Sequence, residues 1–235
     1  MKKLFTLLLV CLLFAGYNFG QSESRTYFTS GGEMIFSFAT IEDDGFSESS
    51  ILRWSPVFNI QSMWNADLNK NVGFFTGLAI RNVGFIYDGY KVDGTGEDAD
   101  YTVKKKFRSY NLAIPVGVKL GNLDKMFVYA GYEVEFPFHY KEKTFVGGDK
   151  TSTIQGWFSD RQEKIQHGFL VGIQFPEGLS LKFKYYLSNF HNENFTESNG
   201  NKPYNGLKAN VFYFSLSSYL FRNMDFDKPE PKNIY

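Results

Sequence analysis

The residues best able to do chemistry are three histidines, His139, His167 and His191. An imidazole beside a serine and a carboxylate can act as a general base for acyl transfer, and small barrel enzymes that edit membrane lipid hold such a pair near the membrane surface. Period-two alternation puts His139 on an inward-facing parity at the outer rim of its strand. It puts His167 and His191 on a lipid-facing parity near the outer ends of neighbouring strands. No serine and carboxylate of matching parity fall beside them, so the pattern assigns no catalytic residue.

A second candidate is the acidic stretch Asp88, Asp93, Glu97, Asp98 and Asp100, with Gly89, Gly94 and Gly96 between. It has carboxylates enough for calcium but not the ordered spacing of an EF-hand loop, and reads as a solvated loop, not a metal site. Asn194-Phe195-Thr196 matches a glycosylation acceptor, a pattern too short to assign a modification by itself. No cofactor-binding residue is indicated.

The third group is charged. On the parity opposite the apolar residues stand Arg53, Arg81, Lys119, Lys182 and Lys184, facing Glu133 and Glu135, with Gln166 and Gln174 nearby. Such a set makes either a conducting path or a plug of ion pairs. A barrel of about eight strands is only wide enough for its own side chains, and buried charges must be paired. Size selects the plug.

These assignments depend on the elements that carry them. Leu179, Leu181, Phe183, Tyr185 and Leu187 alternate with Ser180, Lys182, Lys184, Tyr186 and Ser188. Tyr110, Leu112, Ile114, Val116, Val118 and Leu120 do the same against Ser109, Asn111, Ala113, Pro115, Gly117 and Lys119, and Val128–Phe138 against Tyr129–His139. Each is a strand with one apolar and one polar face. The pattern predicts strands over 31–41, 50–64, 72–87, 102–120, 126–140, 161–175, 179–191 and 209–221. The last has apolar residues on both parities, which leaves its facing open. Connections alternate in length: Glu42–Ser49 then Asp67–Asn71, Asp88–Tyr101 then Gly121–Lys125, Lys141–Asp160 then Pro176–Gly178, and last Asn192–Leu207. Tight turns at one end and long loops at the other mark an up-and-down membrane barrel. Trp54 and Trp64 share a parity, and ten tilted residues cover about 25 Å, the height of the apolar band.

Lys2 and Lys3 precede an apolar run, Leu4–Ala15, and then Gly16–Gln21. The run is too short to span a bilayer as a helix and has the layout of a secretory signal. Cleavage is expected after Gly20, so that the mature protein starts at Gln21. Cys11 leaves with the signal, and with it the only thiol, so disulfides and thiolate metal sites are excluded. Lys and Arg number 25, as do Asp and Glu. Such a balance carries no nucleic-acid signature. Aromatic residues make up 19%, with 26 Phe and 15 Tyr, more than a soluble core of this size uses and what membrane girdles require. The expectation is an all-β chain: a signal peptide at 1–20, a single antiparallel up-and-down transmembrane β-barrel of about eight strands at 21–221, and a periplasmic tail at 222–235.

The signal ending Phe19-Gly20-Gln21, the eight-strand rhythm and Tyr110-Asn111-Leu112-Ala113-Ile114-Pro115-Val116-Gly117-Val118-Lys119 resemble the outer-membrane β-barrel domain proteins of Bacteroidota, the PorT-like and OmpX-like group. Ser218-Tyr219-Leu220-Phe221 looks like the closing strand that the barrel-assembly machinery reads. The resemblance covers nearly all of the mature chain and implies location in the cell outer membrane. It implies contact with outer-membrane lipid and lipopolysaccharide, and with the assembly machinery during biogenesis. The group includes a secretion factor and carries no catalytic set. A non-enzymatic barrel is therefore expected, whose outer loops or tail bind an envelope or secretion-system partner, in surface interaction, envelope integrity or a secretion-accessory role. The alternatives are an outer-membrane lipid-modifying enzyme and a secreted lipocalin-like binding barrel, in which the facing would be inverted.

Overall fold

A computed structural model describes residues 24–92 and 101–224, with the backbone alone for 221–224. Among the described residues there are eleven strands: β1 (Arg25–Asp43), β2 (Phe46–Ser49), β3 (Arg53–Ser55), β4 (Ile60–Asp67), β5 (Val72–Val92), β6 (Tyr101–Gly121), β7 (Phe127–Val146), β8 (Asp149–Trp157), β9 (Gln166–Gln174), β10 (Leu179–Tyr186) and β11 (Leu207–Met224). All pairings are antiparallel; β1 pairs with β2, β3 and β4 in turn and β7 with both β8 and β9, and β11 pairs with β1 to close the ring. Counting β2–β4 as one stave, and β8 with β9 as another, gives eight staves. Among the described residues β2 and β8 keep an open edge outside the ring, and a closed ring is the only form in which strands can cross hydrocarbon.

The facing follows the alternation. Leu112, Ile114, Val116, Leu181, Phe214 and Leu216 lie on the outer surface, between 39% and 59% exposed, whereas Arg81, Lys119, Glu133, Glu135, Lys182 and Lys184 are at most 5% exposed inside. This polarity rules out the lipocalin-like alternative, which requires the reverse. In β11 the ambiguity resolves with Val211, Tyr213, Ser215 and Ser217 inward and Phe214, Leu216 and Leu220 outward. From Tyr110 to Leu120 the outward face of β6 covers about 25 Å along the membrane normal at the usual tilt.

Several boundaries differ from the sequence pattern. The expected strand 50–64 is interrupted between β3 and β4, where Pro56 has no N–H to give to the ladder and Phe58 takes φ 61°. The Asn59 side chain bridges the gap, accepting from the Asn82 backbone N–H at 2.6 Å and donating to the Ser55 carbonyl at 2.9 Å. The connection 42–49 is a tight hairpin on Asp44-Gly45, with φ of 48° and 83°, the left-handed conformations that an Asp-Gly turn supplies. Most of 141–160 is likewise a hairpin, β7 and β8 meeting at Gly147-Gly148. It gave no apolar alternation because both of its faces are wet. The strands expected to start at 161 and to end at 191 instead start at Gln166 and end at Tyr186. Tight turns 68–71, 122–126 and 175–178 gather at the other end, close to the start of β1.

Candidate functional site

The barrel interior is filled in three layers. Nearest the tight turns, Lys119 pairs with Asp67 and donates to Asn65 Oδ1 at 3.1 Å and to the Tyr27 hydroxyl at 3.2 Å. Arg25 closes this layer, with Nε 2.9 Å from Asp67 and a terminal nitrogen 2.6 Å from Asp124. Alternation on β4 and β6 puts Asp67 and Lys119 at the ends of inward faces, so the contact depends on two strand ends meeting across the ring.

The middle layer is an alternating network of three carboxylates and three cations. Arg81 pairs with Glu33 and lies 3.0 Å from Glu133. Lys182 is 2.7 Å from Glu33, and Lys184 is 2.5 Å from Glu133 and also pairs with Glu135. Tyr186 donates to Glu135 at 2.7 Å, Asn111 donates to Glu135 at 2.5 Å and to Gln166 at 3.0 Å, and Gln61 accepts from Arg81 at 3.1 Å. Equal numbers of opposite charges make the layer neutral, which answers the cost of burying them. Between this layer and the lower one lies a cavity of about 50 Å3, lined among others by Gln61, Lys119, Tyr129, Gln174 and Ser180.

The outer layer is aromatic, against the expectation of a polar plug throughout. Ile35, Phe85, Phe107, Phe190, Tyr204 and Tyr213 are fully or almost fully buried in one cluster. Part of it comes from the segment 187–206, which folds into the barrel mouth and carries Phe190, His191 and Tyr204 with it. His191 stacks on Tyr204, ring centroids 4.3 Å apart and planes 11° from parallel. Tyr204 and Tyr140 donate to Glu142 at 2.7 and 2.9 Å, Lys105 meets the same carboxylate at 2.7 Å, and Arg161 donates to the Tyr204 hydroxyl at 3.1 Å. Burial holds the His191 imidazole neutral, pushed down to about 3.

The histidines therefore sit differently from their parity. His191 is inside, because the chain has left β10 by Tyr186 and the alternation no longer applies. His139 is outside. Asn111 pairs with Pro137 but Tyr110 pairs with His139, so Phe138 is an extra residue, and such a bulge swaps the faces beyond it. His139 packs edge-on against exposed Trp157 at 4.9 Å. His167 keeps its outward parity, with Nδ1 2.5 Å from the Tyr132 hydroxyl. The three are not brought together.

Among the other sequence candidates, Arg53 does not join the lumen network. It donates to the Asn82 carbonyl at 3.1 Å and side-chain oxygen at 2.6 Å, at the break in the second stave. Gln166 joins the middle layer, while Gln174 donates to the Leu179 carbonyl at 2.7 Å. Asp88 pairs with Lys104 at 3.0 Å, and the other acidic residues of 93–100 lie outside the described residues, as do the signal and nearly all of the tail. Glu33, Asp67 and, in the outer layer, Lys105 and Glu142 were missed. Glu33 lies on an alternating face, Glu33-Ile35-Ser37 against Met34-Phe36-Phe38, that would have placed it inward. Asp67 was taken as the start of a turn.

A closed ring of eight staves, apolar outside and filled within apart from one small cavity, defines a transmembrane-type β-barrel. No family model matches the chain, and no curated protein matches it. Among solved structures it is similar to Ail, the attachment invasion locus protein of Yersinia pestis, in complex with the heparin analogue sucrose octasulfate, at TM-score 0.38 and 10% identity over 86% of this chain and 99% of that one. A second structure of Ail gives 0.35 and 12% over the same shares. Neisserial surface protein A gives 0.33 and 10% over 82% of this chain and 96% of that one.

Proposed function

We propose that the chain is an exported protein of the bacterial cell outer membrane, a non-enzymatic and non-conducting barrel that holds a binding platform outside the membrane. One observation carries this: the lumen is filled from end to end by paired charges and aromatic rings, while the apolar residues face outward. A filled barrel serves as an anchor. What it holds out is β5–β8, which continue beyond the apolar band over the aromatic layer and end, past Tyr87 and Glu142, as a sheet wet on both faces, together with the mouth segment 187–206. Residues 1–20 act as the signal and the residues beyond β11 as a periplasmic tail. The partner is an envelope component, with a secretion-accessory role as the PorT-like resemblance suggests. Lipopolysaccharide surrounds the barrel, and the assembly machinery inserts it.

Fractionation with and without detergent, heat-modifiable gel mobility and protease shaving of intact cells test this. The expected result is a membrane-bound, heat-modifiable protein cut within 93–100 or 187–206, starting at Gln21. Recovery as a soluble protein, or with Met1 retained, would refute it.

A further inference from the structure

The outward face of β6 and β7 above the membrane is a column of directly opposed cations. In the register, Lys106 stands opposite Lys143, and Arg108 opposite Lys141. Neighbouring staves extend these rows with Ile86 and Thr153, and with Gly84 and Gln155, so neither row contains a carboxylate. Like charges directly opposite on one face destabilise a sheet, and here two such pairs are stacked. Among the described residues none of the four makes an ion pair, whereas Lys104 and Lys105 on the same strand are engaged with Asp88 and Glu142. Lys150 adds to the field at Lys143. Arg108 lies over the Tyr110 ring, 4.6 Å from its centroid, and its Nε is buried with no hydrogen-bond partner.

Height identifies the anion. The next row down is Tyr110, His139 and Trp157, an aromatic girdle of the kind that marks the edge of hydrocarbon. Two residues of tilted strand rise about 5 Å, which puts Arg108 and Lys141 roughly 5 Å and Lys106 and Lys143 roughly 10 Å above that edge. That is the headgroup layer. Outward side chains point sideways into neighbouring lipids, not up into the medium. On the opposite side of the ring the corresponding outward charges, Glu42 and Lys208, satisfy each other at 3.4 Å.

From this we infer that Lys106, Arg108, Lys141 and Lys143 form a lateral site for the phosphorylated headgroup of an outer-leaflet glycolipid. Phosphate oxygens take the place of the missing carboxylates, Arg108 offers a planar fork for two of them, and the acyl chains lie along Leu112 and Phe136 below. The site rests on the membrane reading proposed above and fixes one flank of the barrel against its lipid.

The full-length protein in phosphatidylcholine nanodiscs containing bis-phosphorylated lipid A tests it, with bound lipid read by native mass spectrometry. Arg108→Gln/Lys141→Gln/Lys143→Gln should lower retained lipid A at least tenfold. The charge-matched control Lys125→Gln/Lys164→Gln/Lys208→Gln should stay within twofold, and dephosphorylated lipid A should not be retained by the unaltered protein. The triple patch variant should be at least as heat-resistant in neutral detergent, because opposed like charges are gone. Retention within twofold by the patch variant, equal loss in the control, retention of the dephosphorylated lipid, or a lower heat midpoint would each overturn the site. So would tighter binding of heparin than of lipid A by the intact face, which would give it to a soluble polyanion. A protein that fails to enter nanodiscs refutes the membrane reading; one that enters and shows no phosphate dependence refutes the site alone.

Discussion

Glu133→Gln should cost about 3–5 kcal/mol of barrel stability, the range for removing one partner of a buried ion pair. Glu133 is fully buried and accepts from Arg81 at 3.0 Å and from Lys184 at 2.5 Å. Amide replacement leaves three cations facing two carboxylates in the middle layer and turns a donor towards them. Each lost charged hydrogen bond is worth about 1.5–3 kcal/mol, but Arg81 keeps Glu33 and Lys184 keeps Glu135, so the two losses do not sum fully. Adding Lys184→Met restores neutrality at similar volume. The double variant should recover at least about 2 kcal/mol relative to the sum of the single changes. Urea titration in phospholipid vesicles, read by heat-modifiable mobility and tryptophan fluorescence, measures all three. An exposed reference, Glu42→Gln against Lys208, should change stability by less than about 1 kcal/mol. A Glu133→Gln cost as small as that reference, or a double variant as damaged as the sum, would show that the layer is not a coupled charge network.

Three further outcomes are expected. Ile114→Arg and Leu181→Arg should each cost about 2–4 kcal/mol and impair assembly, because both side chains face lipid; Thr40→Arg, outward but near the outer rim, should not, and equal damage from all three would contradict the facing. Ser180→Arg is no benign control despite facing inward, since it lines the small cavity with Arg81 and Lys182. Planar-bilayer recordings should show no steady conductance, and a reproducible large open channel would mean the layers do not fill the lumen. Acid should loosen the mouth segment: the His191 pKa is lowered from about 6.5 to about 3, so its contribution is complete above 6.5. It falls as the pH drops, by roughly 1.4 kcal/mol per unit until about 3, because the unfolded segment takes the proton first. Faster protease cutting within 187–206 at pH 4 than at pH 7, abolished in His191→Phe, is the readout; no pH dependence would refute it.

Within the membrane, sequence alone determined the class, the stave number and the facing of most strands. There one face must be greasy and the other polar, and a slip of one residue would expose every charge to lipid. Leu112–Leu120 and Leu179–Tyr185 were legible for that reason. Beyond Tyr87 and Glu142, above the aromatic layer, both faces meet water and the constraint vanishes, so β8 and the ends of β5 (88–92) and β7 (141–146) were invisible, and the Phe138 bulge reversed His139 without any change in composition. Tertiary structure decided what pairs with what. Glu33, on a strand whose facing was not worked out, became the partner of Arg81 and Lys182. Arg53 found Asn82 and not the lumen. Phe190, His191 and Tyr204 entered the mouth because Ile35, Val83, Phe85, Phe107 and Val211, on the inward faces of β1, β5, β6 and β11, leave an apolar space there to fill, and only ring closure brings those faces together.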